Sequence, residues 1–171
     1  DNQQFDILFG KPMPVAAAAR FYDRPALKRF DPTTQLQWLI DTPERLAQYA
    51  SLAQTKNLPM RINIELDVGL HRGGVHDPFV LQQMLKTIEQ TPQLTFNGLM
   101  GYDPHVVKMP ELIVGQQEEF QQVQQRYQKM LDVALASGAK TTDTNDLTLN
   151  AAGSPTYTLW GNVEGIANEL S

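Results

Sequence analysis

The sequence predicts an α/β fold built on a parallel sheet. Apolar runs of strand length alternate with amphipathic helical stretches from end to end, and the polar, glycine-bearing segments fall just after the strands. The chain has 171 residues, a single-domain length, and 42% hydrophobic against 19% charged residues is a globular composition.

The first apolar run is Phe5 to Gly10, followed by an Ala-rich helix from Val15 to Tyr22 that Asp23-Arg24-Pro25 interrupts. Leu36 to Asp41 reads as the second strand. Thr42-Pro43-Glu44 then starts a helix, with a hydroxyl cap, proline at the first helical position and an acid in the first turn. That helix extends to about Gln54, with Leu46, Tyr49, Ala50 and Ala53 on one face. Ile62 to Val68 alternates as a third strand, and Asp77-Pro78 opens a helix carrying Leu81, Met84, Leu85 and Ile88 at helical spacing. Leu94 to Met100 is the fourth strand, and a loop from Pro104 to Val114 leads to the longest helix, from about Gln116 to Ala136. Its stripe is Phe120, Val123, Tyr127, Met130, Leu131 and Ala134, with glutamines facing water. Leu147 to Gly153 is the fifth strand, and a sixth begins at Ile166.

Strands separated by helices imply right-handed crossovers. An open doubly-wound sheet and a (β/α)8 barrel both satisfy this pattern, and periodicity does not choose between them. The net charge of −5 is spread without long runs of one sign and gives no basic stripe for nucleic acid. Cysteine is absent, which excludes disulfides and thiolate metal sites within these residues. No apolar run approaches the roughly 20 residues of a membrane span, and no signal peptide is visible. The chain opens on Asp1 and almost directly on an apolar run, so its start is expected to be a cut.

In both architectures ligands gather at the C-terminal ends of strands. There the sequence places Asp67 to Gly74, Gly101 to His105, and Gly153 to Tyr157. Arg72 keeps its charge at any working pH and can donate to an oxygen above the sheet, although an arginine so placed more commonly pairs with Asp67 or Glu65. Gly153-Ser154-Pro155-Thr156 offers backbone N–H groups and two hydroxyls to a phosphate, or is an ordinary turn. Tyr102 and His105 bring a phenol and an imidazole to the same mouth as candidate acid–base groups. The spacing of Asp67, His71 and His105 matches no metal-ligand pattern, and no metal residue is assigned.

Together these segments carry a resemblance. Asp67-Val68-Gly69-Leu70-His71-Arg72-Gly73-Gly74-Val75 resembles the motif after a barrel strand in fold-type III pyridoxal-phosphate enzymes, the group of alanine racemase and of the D-threonine aldolase and D-serine dehydratase family. Gly98 to His105 is similar to that family's Gly-Leu-x-Ala-Tyr-His-Gly-His stretch, and Gly153 to Tyr157 to its phosphate loop. Asp6 to Gly10 and Ile40 to Glu44 fall in matching order, so the resemblance covers nearly the whole chain. Asp103-Pro104 and Ser154-Pro155 depart from the family's pattern.

The resemblance implies a (β/α)8 TIM-type barrel of which residues 1–171 are part, roughly strands 3 to 8. The strand with the Schiff-base lysine and the C-terminal β-domain would lie outside this chain. It implies pyridoxal 5'-phosphate as cofactor, with Arg72 on its phenolic oxygen, and Gly153, Ser154 and Thr156 at its phosphate. Ser171 would lie near the pyridine nitrogen and phosphate, and Tyr102 and His105 would face the ring or the substrate. Lys11 follows a strand but reads as a surface lysine. Any divalent metal would sit in the C-terminal domain. The implied activity is a lyase or aldolase acting on a D- or β-hydroxy-amino acid, with an amino-acid racemase or a non-catalytic pyridoxal-phosphate homeostasis protein as alternatives. A phosphate-binding barrel without pyridoxal chemistry is a reading of a different class. The implied setting is a cytoplasmic protein that can form a homodimer, with a small-molecule amino acid as partner and no nucleic acid or membrane.

Overall fold

The computed structural model describes residues 6–24, 30–108, 115–138 and 147–160. Its strands are β1 (Ile7–Leu8), β2 (Leu36–Ile40), β3 (Met60–Leu66), β4 (Leu94–Gly101) and β5 (Thr148–Asn150). All pair in parallel, in the order β1-β2-β3-β4-β5. The helices are α1 (Val15–Tyr22), α2 (Pro32–Gln35), α3 (Pro43–Lys56), α4 (Pro78–Glu89), α5 (Gln116–Ala136) and α6 (Tyr157–Trp160), with a 3-10 turn at Pro104–Val107.

The helix starts are local chemistry. Thr42 caps α3 by accepting the Arg45 N–H at 3.1 Å, and Asp77 caps α4 by accepting the Phe79 N–H at 2.9 Å. In each, proline stands at the first helical position, where no N–H is needed. The predicted faces of α3 and α4 are the buried ones. On α5, Val123, Tyr127, Met130, Leu131 and Ala134 are buried as expected, Phe120 is half-buried, and Glu119 is buried beside them. The helix-facing side of the sheet is apolar, with Trp38, Ile40, Ile62, Ile64 and Leu99 each at most 2% exposed. Burying a large side chain of this kind contributes about 1.5–3 kcal/mol.

The opposite side decides the architecture. Neighbouring strands lie about 4.8 Å apart, so β2 and β5, three steps apart, would stand roughly 14 Å from each other in a flat sheet. Yet Gln37 on β2 donates from Nε2 to Thr148 Oγ1 on β5 at 2.8 Å, and Asn63 on β3 donates from Nδ2 to the Thr148 carbonyl at 3.2 Å. The sheet is therefore curled onto its own inner face as part of a (β/α)8 barrel, and the sequential strand order excludes the doubly-wound alternative. Gly98 permits the curl. It pairs with Asn63 after a register shift that leaves Asn97 as an extra residue, and its φ is +153°. A Cβ there would overlap the Thr148 carbonyl oxygen, so any other residue would push β5 away.

Of the expected first strand, Phe5 to Gly10, Phe5 lies outside the described residues, and the strand among the rest is Ile7–Leu8. Among the described residues β1 has a neighbour on one side only, and Ile7 is 43% exposed. The expected sixth strand from Ile166 lies outside the described residues.

Candidate active site

Three segments after β3, β4 and β5 meet at one end of the curled sheet. Glu65, at the end of β3, is buried, with its side chain only 4% exposed. Its Oε1 accepts a hydrogen bond from Arg72 Nη2 at 2.5 Å, so the loop from Asp67 to Gly74 folds back and lays the guanidinium over the barrel end. The Arg72 Cζ stands 4.4 Å from the centroid of the Tyr102 ring, at the end of β4. A cation at that height over a phenol face is attracted by the ring quadrupole. Tyr102 in turn lies against Gly153, where a Cβ would come within 2.5 Å of Tyr102 Cε2. Arg72, Tyr102 and the turn beginning at Gly153 thus form one continuous surface. The pairing of Arg72 with Glu65 and its position at the mouth are both realised.

The turn after β5 is closed on itself. The Thr156 and Tyr157 N–H groups donate to the Gly153 carbonyl at 2.9 and 3.0 Å, and the Gly153 N–H donates to Thr156 Oγ1 at 3.0 Å. Thr156 is buried and donates its hydroxyl proton to Asp103 Oδ1 at 2.5 Å, while Ser154 is exposed. Asp103 Oδ2 accepts the Trp160 indole N–H at 2.7 Å.

The base of the β3 loop is held by Asp67. Its Oδ1 accepts the Gly69 and His71 N–H groups at 3.0 and 2.9 Å, and its Oδ2 lies 2.8 Å from His71 Nδ1. Burial raises the Asp67 pKa, but the His71 ring and these two backbone donors outweigh it and hold the carboxyl below its ordinary value.

His105 belongs to a second cluster, on the α5 side. Its Nε2 lies 3.3 Å from Glu119 Oε1, which also accepts from Arg126 Nη1 at 3.2 Å. Arg126 Nη1 reaches the Val68 carbonyl at 2.8 Å as well. His105 Nδ1 is buried without a hydrogen-bond partner among the described residues. Beside this cluster a cleft of about 410 Å³ opens between the β3 loop and α5, lined by Asp67, His71, His76, Arg126 and Lys129 among others. It contains none of Arg72, Tyr102 or the 153–156 turn. Among the described residues no group of three or more His, Asp or Glu side chains comes together as a metal site. Lys11 is exposed, and Ser171 lies outside the described residues.

Glu65, Asp103 and Glu119 take part in these clusters although none of them stood out as a site residue in the sequence. Glu65 is an acid on the inner face of a strand, seven residues before Arg72, and that spacing was a signal. Asp103 carried one too, as a carboxylate directly after a strand.

Among the described residues the Arg72 guanidinium keeps donors to spare beyond its pair with Glu65. The guanidinium has five N–H donors, of which Glu65 engages one on Nη2. In the turn that packs on Tyr102, Ser154 and Pro155 are exposed and Thr156 is buried.

Residues 17–161 match the family model described as alanine racemase, N-terminal domain. No curated protein matches the chain by sequence. Among solved structures, the chain is similar to D-threo-3-hydroxyaspartate dehydratase from Delftia sp. HT23, with a TM-score of 0.72 and 16% identity over 94% of this chain and 40% of that one. It is also similar to alanine racemase from Clostridium difficile 630, with a TM-score of 0.63 and 14% identity over 89% and 39% of the two chains. A histidine racemase from Leuconostoc mesenteroides subsp. sake gives 0.58 at 12% identity over 89% and 40%. The chain thus spans about two-fifths of the length of these structures. Among the described residues no helix is long and apolar enough to cross a membrane.

Proposed function

Because the chain belongs to the family of alanine racemase N-terminal domains, we propose that the mouth formed by Arg72, Tyr102 and the Gly153–Thr156 turn binds pyridoxal 5'-phosphate in an amino-acid lyase or racemase. The observation that carries this reading is the Arg72 guanidinium, held by the buried Glu65 and laid over the Tyr102 ring at 4.4 Å. Within the class we favour an aldolase or dehydratase acting on a D- or β-hydroxy-amino acid. The stretch Gly98 to His105, similar to that of D-threonine aldolases and D-serine dehydratases, supports that choice.

Bound pyridoxal phosphate supplies an electron sink for bond cleavage at the α-carbon of an amino acid. Arg72 donates to its phenolic oxygen and keeps a positive charge there at every working pH. Glu65 fixes the rotamer of that arginine and offsets its charge, so the guanidinium is oriented before any ligand arrives. The turn holds the phosphate end, with the Ser154 N–H and hydroxyl as its outward donors. Tyr102 presents its phenol at the mouth as an acid–base group, with His105 behind it on the α5 side. On the same reading Ser171 lies near the cofactor, the working protein is a cytoplasmic homodimer, and any divalent metal belongs to the family's C-terminal β-domain.

The test is the full-length protein titrated with pyridoxal phosphate and followed by visible absorbance, then incubated with D-threonine, D-serine and alanine of either hand. Saturable binding with release of aldehyde or keto acid supports the lyase, and interconversion of alanine supports the racemase. Binding without turnover identifies a carrier, and no saturable binding defeats the whole reading.

A further inference from the structure

Asp103 is fully buried, and its carboxylate accepts two hydrogen bonds, both from the segment after β5. An ionised carboxylate is acceptor-only, so it orients the Thr156 hydroxyl with its proton toward Asp103 and a lone pair toward the Gly153 N–H. Its second oxygen anchors the Trp160 indole, which Phe120 and Tyr127 of α5 pack at ring distances of 5.3 and 5.9 Å. One side chain therefore pins the last residue of the turn and the end of α6, directly after the tyrosine on which Gly153 rests.

The donors of that turn are nearly all committed. The Gly153, Thr156 and Tyr157 N–H groups bond within the turn, the Thr156 hydroxyl faces Asp103, and Pro155 has no N–H. The Ser154 N–H and hydroxyl are what the turn can offer outward, since neither has a partner among the described residues.

We propose that Asp103 is a positioning residue for the phosphate grip, and that Thr156 acts through Asp103 instead of touching the phosphate itself. This rests on the pyridoxal-phosphate reading for its ligand, but the strut is a property of the chain alone. A geometry so fixed matters for anion binding because a donor already aimed loses little freedom on binding.

The experiment compares the affinities of pyridoxal phosphate and of pyridoxal, which lacks the phosphate, for the full-length protein and its variants. Asp103→Ala and Thr156→Val are each expected to weaken pyridoxal phosphate roughly tenfold, the scale of one hydrogen bond to a charged group, and to leave pyridoxal unchanged. The double variant should be no worse than either single one, because both remove the same strut. Thr156→Ser should restore wild-type affinity. Equal losses for the two ligands in Asp103→Ala would overturn the proposal in favour of a general packing role. Loss in Thr156→Val with wild-type binding in Asp103→Ala would overturn it too, by placing the hydroxyl on the phosphate. A wild type that does not prefer pyridoxal phosphate over pyridoxal would defeat the cofactor reading instead. Independently of any ligand, Asp103→Ala should shift the Trp160 indole N–H resonance and speed exchange of the Gly153 amide; no change in either would remove the strut. If the alanine variant does not fold, Asp103→Asn serves in its place. It keeps an acceptor for Trp160, so only the Gly153 amide and the pyridoxal phosphate affinity should respond.

Discussion

Two arginine–carboxylate pairs stand at opposite ends of β3, and they differ in what they leave free. Arg61, at the start of the strand, grips Asp6 through both terminal nitrogens at 2.7 and 2.9 Å. It also reaches the Thr34 carbonyl at 2.6 Å and Asn97 Oδ1 at 3.0 Å. Its donors are largely satisfied by protein, so it closes the bottom of the curled sheet and is available to nothing else. Arg72, at the other end, makes one hydrogen bond among the described residues, to a deeply buried Glu65, and lays its face on Tyr102. The same residue type is thus largely saturated by protein at one end of β3 and keeps unused donors, among the described residues, at the other, where we propose the ligand binds.

The largest expected effect tests the mouth pair. Arg72→Ala in the full-length protein should lower pyridoxal phosphate affinity roughly 100-fold, because a charge-assisted contact is lost. It should also cost on the order of 3 kcal/mol of stability, since Glu65 is left buried without its counter-charge. Adding Glu65→Gln should recover most of the stability and none of the affinity. Denaturant melts and cofactor titrations of the three proteins separate the two losses. If the double variant regains both, Arg72 serves the fold alone and the contrast with Arg61 disappears.

Arg61→Met should do the reverse. We expect about 2 kcal/mol of destabilisation, from Asp6 and Asn97 losing a shared donor, with cofactor affinity unchanged in the folded protein. A variant with native stability and impaired binding would show that the bottom of the sheet is coupled to its mouth.

How much of this was written in the sequence depends on whether the signal is local. The starts of α3 and α4 were legible because cap, proline and first turn lie within four residues. The same Asp-Pro signature precedes α2 at Asp31-Pro32 and the 3-10 turn at Asp103-Pro104, yet without a following apolar stripe neither element was expected. Strand ends were less legible: β3 starts at Met60, two residues before the expected Ile62, because the Met60 N–H pairs with the Gln93 carbonyl of a distant segment. The polar inner face was legible only in part. The alternation from Ile62 to Val68 put Asn63 and Glu65 on one face of β3, but Gln37 sits inside an apolar run, and its engagement with Thr148 depends on the curl. At the mouth, Arg72, Tyr102 and Gly153 were legible by their place after strands. The engagement of Thr156 by Asp103 was not, because it depends on two loops 53 residues apart.

The smallest effect concerns the loop that delivers Arg72 to its place. Asp67 ties this loop to its own base through the Gly69 and His71 N–H groups and the His71 ring. These contacts favour the ionised form, and they hold the folded carboxyl below its ordinary value despite burial. A depressed folded value means that the unfolded chain takes up the proton first. The stabilisation is therefore fully present above the ordinary value near 3.8 and is lost as pH falls through the lower folded value. Asp67→Asn keeps the shape but loses the charge, and should cost about 1 kcal/mol at pH 5 to 7. The gap between denaturant melts of the two proteins should start to narrow as the pH drops below about 3.8, where the unfolded wild type takes up its proton, and should close only below the lower folded value. A gap that stays constant down to pH 3 would mean that the charge of Asp67 contributes nothing. The loop under Arg72 would then be held by its backbone alone, and the mouth pair would be no more adjustable than the one at the base.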